Sequence, residues 1–320
     1  MLKIGNLKLK SRLILAPMAG ISDFPYRMIN RKFGCELAFT EMINCRALGY
    51  NSKKTKQMLY SGPKDRPLGV QLLGSRPEFI LRALDILKAY KFDLLDFNAA
   101  CPVNKVVKRG EGAALLKHPK ELNQLLKIIV KELEVPVTVK LRIGWDSSCV
   151  DLKELAFACQ DSGISAVFIH GRTKHQGYSG EVDYEAIKKF KGHIKIPVIA
   201  SGNIFSGQLA KKMFDQTGVD ALLIARGALG NPWLFKEIAE FLKNGKMIKP
   251  PKIKEKVNTI IEHLTMCIEF YGEKMGVIIF RKFLIWYTKG LRNIRPLRKL
   301  ISYTGNKDST INLIRRCFEG

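Results

Sequence analysis

The chain has 320 residues, of which 46% are hydrophobic and 26% charged, and this is the composition of a soluble globular protein with one large domain or two. No apolar run approaches the length of a membrane span, and the N-terminal residues MLKIGNLKLKS lack a signal-peptide core, which argues against a membrane or exported protein. Lys and Arg number 54 against 29 Asp and Glu, a net charge of +25. Such an excess indicates a polyanionic partner, of which nucleic acid is the commonest.

The seven cysteines are scattered without CxxC or zinc-ligand spacing. An odd number of unpaired cysteines in a lysine-rich chain is typical of reduced thiols in the cytoplasm. We therefore expect a cytoplasmic protein, a monomer, that holds no metal.

Eight short apolar segments are predicted to be strands: Leu13–Ala16, Leu37–Phe39, Pro67–Leu72, Leu94–Phe97, Pro136–Leu141, Ala166–Ile169, Ile196–Ala200 and Ala221–Ile224. Segments with helical spacing or helix-capping residues lie between them, including Pro77–Tyr90, Asp151–Ser162, Tyr184–Phe190 and Gln208–Phe214. Because strands alternate with helices and several strands are apolar on both faces, the pattern predicts a parallel sheet covered by helices. Its simplest form is a closed (β/α)8 TIM barrel, an α/β fold.

Polar or sulfur-containing side chains close nearly every predicted strand: Met18, Gln71, Asn98 with Cys101, Lys140, His170, Asn203 and Arg226. Each alone has an ordinary explanation, such as a turn former or a solvated charge. In a barrel, however, the carboxyl ends of the strands meet on one rim, and together these residues predict a single functional site there.

Two glycine-bearing loops follow the seventh and eighth strands, Ser201–Gly202–Asn203 and Ala225–Arg226–Gly227. In barrels this location commonly binds phosphate through backbone N–H groups. The loops therefore predict a phosphorylated cofactor, with Lys140 near its electron-rich ring atoms.

The C-terminal region is expected to form a separate helical domain. Residues 243–320 hold 17 Lys and Arg against 6 Asp and Glu, and the helical pattern of Lys256–Gly272 is followed by basic residues interleaved with aromatic ones. This composition suits a folded RNA, with Arg281, Lys282 and Arg292 as candidate contacts. The predicted division is thus a catalytic barrel at 1–242 and an all-helical domain at 243–320.

Several segments of the chain resemble the flavin-dependent tRNA-dihydrouridine synthases, and the bacterial DusB-like branch is the most similar. They are APMAGISD, VQLLG, DFNAACPVNKVVKRGEGAALL, VTVKLRIGW, IHGRT, IPVIASGNI and ARGALGNPW. The resemblance implies a TIM barrel that holds FMN, followed by a small helical domain that helps to bind tRNA. It also implies the reduction of specific uridines in tRNA to 5,6-dihydrouridine.

The resemblance also implies roles for individual residues. Cys101 corresponds to the family's cysteine and would donate the proton to C5 of uracil, while reduced FMN, reloaded by NADPH, supplies hydride to C6. The expected flavin contacts are Pro17, Met18, Ala19, Gln71, Lys140, His170, Ser201, Gly202, Asn203, Ala225, Arg226 and Gly227. Asn98 and Arg172 are expected near the uracil.

The chain departs from the family pattern at Ala99, Ala100, Glu111 and Ala225, and Ala100 must tolerate a backbone angle that the family's glycine favours. Two other functions are compatible with parts of the sequence. A dihydroorotate-type FMN dehydrogenase, acting on a free pyrimidine, would explain Cys101 and the phosphate loops but not the basic helical tail. A non-catalytic RNA-binding protein would explain the charge but not the polar residues at the rim.

Overall fold

Eight parallel strands close into a barrel, as the apolar segments of the sequence predicted. A computed structural model describes residues 1–50, 52–146, 151–292 and 294–318, and in these residues a short antiparallel hairpin precedes the barrel. The hairpin consists of β1 (Leu2–Ile4) and β2 (Leu7–Leu9). The barrel strands are β3 (Leu13–Leu15), β4 (Leu37–Asn44), β5 (Leu68–Leu73), β6 (Leu94–Asn98), β7 (Val137–Arg142), β8 (Ala166–His170), β9 (Val198–Ser201) and β10 (Ala221–Ile224).

The lower half of the barrel interior is an apolar core. Side chains at alternate strand positions turn inward and form one buried cluster, which includes Ile14, Phe39, Phe168 and Leu223. Leu2, Ile4 and Leu9 of the hairpin belong to the same cluster, so β1 and β2 close the N-terminal end of the barrel. At Gly69 a Cβ atom would lie 2.2 Å from the Phe39 ring, and this strand position therefore requires glycine.

Helices surround the barrel and continue beyond it. Their bounds are α1 (Phe24–Lys32), α2 (Cys45–Gly49), α3 (Lys53–Met58), α4 (Pro77–Leu87), α5 (Asn104–Val107), α6 (Pro119–Glu132), α7 (Leu152–Asp161), α8 (Tyr184–Gly192), α9 (Gly207–Thr217), α10 (Leu234–Asn244), α11 (Ile253–Tyr271), α12 (Glu273–Tyr287), α13 (Arg295–Ile301) and α14 (Lys307–Phe318). None of the described helices is both long and apolar enough to cross a bilayer.

The last four helices form the C-terminal all-helical part that the sequence predicted. Helix α10 packs on α9 of the barrel, where Gly207 meets the ring of Phe241, and it ends at Asn244. A division after residue 242 would therefore fall in the last turn of α10, and we propose instead that the boundary lies in the connection 245–252. Helices α11 and α12 cross closely, because a Cβ at Gly276 would lie 2.6 Å from the backbone of Ile268.

Candidate active site

A cavity of about 530 Å³ lies at the carboxyl end of the barrel strands. Its wall is built from strand ends and from the loops that follow them, including the loop after β3, the loop after β6 and the two glycine-bearing turns after β9 and β10. Alternate residues of each strand face the barrel interior and form successive layers along its axis. The inward-facing residues are apolar in the lower layers and include polar side chains in the upper ones.

A chain of hydrogen bonds runs along the upper layer of the barrel from β7 to the loop after β6. The Thr138 hydroxyl donates to Asp96 Oδ1 at 2.8 Å, and Gln71 Nε2 donates to Asp96 Oδ2 at 2.6 Å. Asn98 Nδ2 donates to Gln71 Oε1 at 2.9 Å, and Asn98 Oδ1 accepts the backbone N–H groups of Ala100 and Cys101 at 3.0 and 2.9 Å. Because a carboxylate only accepts and a backbone N–H only donates, the two ends of the chain fix the orientations of both side-chain amides.

Cys101 lies at the cavity wall with a half-buried thiol. The backbone N–H of Cys101 donates to the Asn98 side chain, and the Cys101 carbonyl accepts the N–H of Ala113 at 3.1 Å. Among the described residues only Asn203 combines a side chain with positive φ, so Ala100 sits beside Cys101 outside the left-handed region. The departure from glycine at this position therefore causes no backbone strain.

Two cationic side chains, Lys140 and Arg142, line the cavity at alternate positions of β7, and His170 lines it at the end of β8. Burial, and then the charge of Arg142, lowers the pKa of Lys140, while burial raises the pKa of Asp96 beneath it. Burial, followed by the charge of Lys140, holds the pKa of His170 well below its usual range, so its imidazole is neutral at physiological pH. His170 Nδ1 pairs with the Ser201 hydroxyl at 3.1 Å, and Nε2 is buried with no partner among the described residues.

The two glycine-bearing turns continue the cavity wall from β8 to β9 and β10. Gly202 has φ of 137° and a Cβ there would lie 2.8 Å from Val182, while a Cβ at Gly227 would lie 2.0 Å from the carbonyl oxygen of Ile204. Asn203 follows with φ of 50°, and its Oδ1 accepts a hydrogen bond from Arg226 Nη2 at 3.1 Å. Successive unusual backbone angles of this kind turn N–H groups toward a common point, which suits an anionic ligand.

The structure brings most of the predicted site residues together at this cavity. The residues from the prediction that line it are Pro17, Met18, Ala19, Gln71, Asn98, Cys101, Lys140, His170, Ser201, Gly202, Asn203, Ala225, Arg226 and Gly227.

Arg172 lies elsewhere, in contrast to the expectation that it meets the uracil. It is buried but does not line the cavity, and its Nε and Nη2 donate to the carbonyls of Ser179 and Gly180 at 2.9 and 2.7 Å. Its guanidinium thus holds the loop after β8 in place. Arg172 follows His170 by two residues, but β8 ends at His170, so the strand alternation no longer sets the direction of the Arg172 side chain.

The three basic residues proposed for RNA binding differ in their environments. Arg281 is partly buried and donates to the Thr304 carbonyl at 2.6 Å, which ties α12 to the turn before α14. Lys282 donates to the carbonyl of Gly20 in the loop after β3. Only Arg292 is exposed.

Sequence reasoning missed four polar residues of this region: Asp96, Thr138, Arg142 and Tyr178. Arg142 lines the cavity, and its guanidinium donates to the carbonyls of Ala100, Thr173 and Gly177 at 2.7, 2.9 and 2.8 Å, so that it joins two loops. Tyr178 stands exposed at the mouth, with the guanidinium of Arg142 5.4 Å from its ring centroid. Residues two apart on a strand face the same side, so the prediction of Asn98 could have been extended to Asp96, and that of Lys140 to Thr138 and Arg142. Tyr178 lies in a loop and has no such signal.

The fold and this cavity define a (β/α)8-barrel enzyme with its active site at the carboxyl rim. The family model described as Dihydrouridine synthase (Dus) matches residues 14–319, and the chain belongs to this family.

Two curated relatives are similar over nearly the whole chain. It is 37% identical over 316 residues to tRNA-dihydrouridine synthase B of Pseudomonas aeruginosa, which covers 99% of this chain and 95% of the relative. It is 40% identical over 291 residues to tRNA-dihydrouridine synthase B of Vibrio vulnificus, which covers 90% of this chain and 89% of the relative. Among solved structures, histamine dehydrogenase from Rhizobium sp. 4-9 shares the fold with a TM-score of 0.58 at 14% identity, over 83% of this chain and 50% of that larger one.

Proposed function

We propose that this protein is a tRNA-dihydrouridine synthase that binds FMN, takes electrons from NADPH and reduces uridines of tRNA to 5,6-dihydrouridine. The observation that carries the proposal is the position of Cys101, whose thiol lines the cavity at the rim of the barrel in a chain of the dihydrouridine synthase family. The names of the relatives supply the reaction, and the charge of the chain agrees with an RNA substrate.

The residues of the cavity fit a flavin mononucleotide. The turns at Gly202–Asn203 and Arg226–Gly227 suit its single phosphate, since their glycines allow close backbone approach and Arg226 adds a positive charge. Lys140 suits the electron-rich edge of the flavin ring, and the unpartnered Nε2 of His170 offers a further polar contact in the same cavity. Pro17, Met18 and Ala19 supply the apolar side of the cleft.

Bound FMN, once reduced, supplies the hydride that saturates C6 of uracil. Cys101 donates its thiol proton to C5, and the hydrogen bond from its backbone N–H to Asn98 keeps the residue at the cavity wall during that transfer. Asn98 Oδ1 already accepts two backbone N–H groups and Nδ2 donates one hydrogen to Gln71, so the group that Asn98 can offer the substrate is its second amide N–H. That N–H is suited to a carbonyl of the base.

The substrate uridine must leave the folded tRNA to reach this cavity, because a stacked base cannot enter a barrel mouth. The exposed ring of Tyr178 stands at that mouth between Arg142 and Arg226, whose guanidinium carbons lie 5.4 and 5.3 Å from its centroid. We infer that this cluster receives the extruded nucleotide.

A tRNA substrate also agrees with a cytoplasmic enzyme.

Anaerobic half-reactions test the proposal. The purified protein should be yellow and release FMN, NADPH should bleach the flavin, and unmodified tRNA should restore the colour with the formation of dihydrouridine. Free uracil, uridine and orotate serve as matched controls and should leave the flavin reduced. Release of FAD would contradict the cofactor assignment, and turnover of orotate at the rate of tRNA would contradict the substrate assignment.

A further inference from the structure

The loop that carries Cys101 folds back on itself over the cavity. We call residues 101–113 the cysteine loop; Cys101, Pro102, Val103 and Val106 of this loop line the cavity. Its returning end packs directly on its beginning, since a Cβ on Gly112 would lie 2.8 Å from the Cys101 carbonyl oxygen. The position of the returning end therefore sets the position of Cys101.

Glu111 anchors that returning end. The residue is 8% exposed, and Asn44 Nδ2 donates to its carboxylate oxygens Oε1 and Oε2 at 3.2 and 3.1 Å. Arg109 Nε lies 3.5 Å from Oε2, but the Arg109 side chain is 48% exposed, so solvent screens this ion pair and it contributes little. The dominant contact of the carboxylate is thus the amide of Asn44.

Asn44 is held in the orientation that this contact needs. It ends β4 and caps α2, where its Oδ1 accepts the N–H of Ala47 at 3.2 Å. With Oδ1 committed to the helix, Nδ2 faces Glu111. The contact between Asn44 and Glu111 joins the end of β4 to the loop after β6, and β5 lies between these two strands. In the loop after β5, the Ser75 hydroxyl donates to the Arg109 carbonyl at 3.2 Å.

We propose that Glu111 is a positioning residue that latches the cysteine loop to Asn44 and thereby holds Cys101 at the cavity. The reaction it serves rests on the proposed function, whereas the latch can be measured without turnover. Glu111 is also one of the departures from the family pattern, and the reaction chemistry alone gives it no role.

An exchange of donor and acceptor tests the latch. Asn44→Asp keeps the acceptor that caps α2 but sets a carboxylate against Glu111, so the loop should open. Adding Glu111→Gln to Asn44→Asp rebuilds the hydrogen bond in the opposite direction, because the new amide donates to the new carboxylate. Glu111→Gln alone retains an acceptor for Asn44 and should have a smaller effect than Asn44→Asp.

Two measurements on the flavin-loaded full chain report loop opening. Lys105, Lys108 and Arg109 are exposed tryptic sites, and cleavage there requires local unfolding around α5. Alkylation of Cys101 by iodoacetamide, read by peptide mass spectrometry, reports the freedom of the thiol. Asn44→Asp should raise the cleavage rate by roughly 10- to 100-fold, the factor expected on losing a hydrogen bond to a charged group, and should change the alkylation rate in the same direction by a smaller factor, because the thiol is already partly exposed. In the double variant both rates should return to within about threefold of the unchanged protein.

Asp161→Asn is the matched control, because it breaks an ion pair of 2.7 Å with Lys127 on the outer helices and should change neither rate. The kcat for tRNA should fall with Asn44→Asp and recover in the double variant, while the KM for NADPH stays constant. Loop opening that does not recover in the double variant, or a kcat indifferent to opening, would overturn the proposal. Failure of the proposed function would look different, since the unchanged protein would then form no dihydrouridine.

Discussion

The Cys101 thiol lines the described cavity wall, is partly exposed, and is a side chain suited to donate a proton to carbon. Its backbone is held on both sides, by Asn98 at the N–H and by Ala113 at the carbonyl, so replacing the side chain leaves these contacts in place. The residue can therefore be tested without disturbing its loop.

Cys101→Ala should retain flavin and its reduction by NADPH but lose about 10²–10⁴-fold in the rate of flavin re-oxidation by tRNA, as expected on losing a positioned general acid. Cys101→Ser should be little better, because a hydroxyl is a much weaker acid than a thiol. The two half-reactions are followed by absorbance in a stopped-flow instrument. Re-oxidation of the alanine variant at the normal rate would show that the proton comes from another group.

At the scale of elements, the strands can be predicted because apolar runs end in turn residues, and seven of the eight predicted strands agree with the structure to within two residues at each end. The exception is β4, for which the sequence predicts an end at Phe39, while the strand continues to Asn44 through an irregularity between Phe39 and Met42. Such an irregularity depends on pairing with β5 and leaves no local pattern. The hairpin of β1 and β2 is also missed, since its alternation covers three residues a strand.

The site can be predicted where a residue ends a strand, and it is missed where a role depends on a distant partner. Lys140 and His170 are visible as strand ends, whereas Asp96 acquires its role only through Gln71 and Thr138 on the neighbouring strands. Arg172 shows the opposite case. A charged residue just after a strand resembles a site residue, yet its contacts are to the carbonyls of its own loop.

Helix α12 supports the loop after β3 that forms part of the cavity wall. Lys282 donates to the Gly20 carbonyl, and Tyr271 at the end of α11 donates to Asp23 Oδ2 at 3.1 Å. Asp23 in turn caps α1, and burial raises its pKa to about 6. The helical part of the chain thus contacts the segment that includes Met18 and Ala19.

Lys282→Ala should therefore lower flavin retention severalfold as well as tRNA binding. The control is Lys274→Ala, an exposed residue of the same helix. Flavin released during dialysis, measured by fluorescence, distinguishes the two. Equal retention in both variants would mean that the contact with Gly20 does not stabilise the cavity wall.

For the whole molecule, the feature that bears on an RNA contact is the exposed positive charge that lies near the rim. The helical part exposes Lys289, Arg292, Arg295 and Lys299 in one stretch after α12. It also packs against the rim, since a Cβ at Gly230 would lie 2.4 Å from the backbone of Trp286. This stretch is consequently the better candidate for the RNA contact than Arg281, whose guanidinium is engaged with Thr304.

Replacing Lys289, Arg292, Arg295 and Lys299 with alanine should weaken tRNA binding and reduce the slope of log K against log salt by about 1 for each phosphate that the variant no longer neutralises. A variant with Lys3 and Lys8 replaced, at the hairpin on the opposite pole, removes exposed charge without touching this surface and should keep the slope. Filter binding between low and moderate salt gives both slopes. Identical slopes for the two variants would contradict an RNA contact at this stretch.

The hairpin that closes the lower end of the barrel also has a kinetic consequence. Leu2, Ile4 and Leu9 fill that end, and the described residues that line the cavity lie at the carboxyl ends of the strands and in the loops that follow them. Under the proposed function, the nicotinamide donor and the extruded base therefore use the same opening at the rim. The two substrates should then bind in turn and not together, which gives ping-pong kinetics with parallel lines in double-reciprocal plots. At high concentration, tRNA should inhibit by binding the oxidised enzyme in place of NADPH, and NADPH by binding the reduced enzyme in place of tRNA. Intersecting lines would mean that both can be accommodated at once.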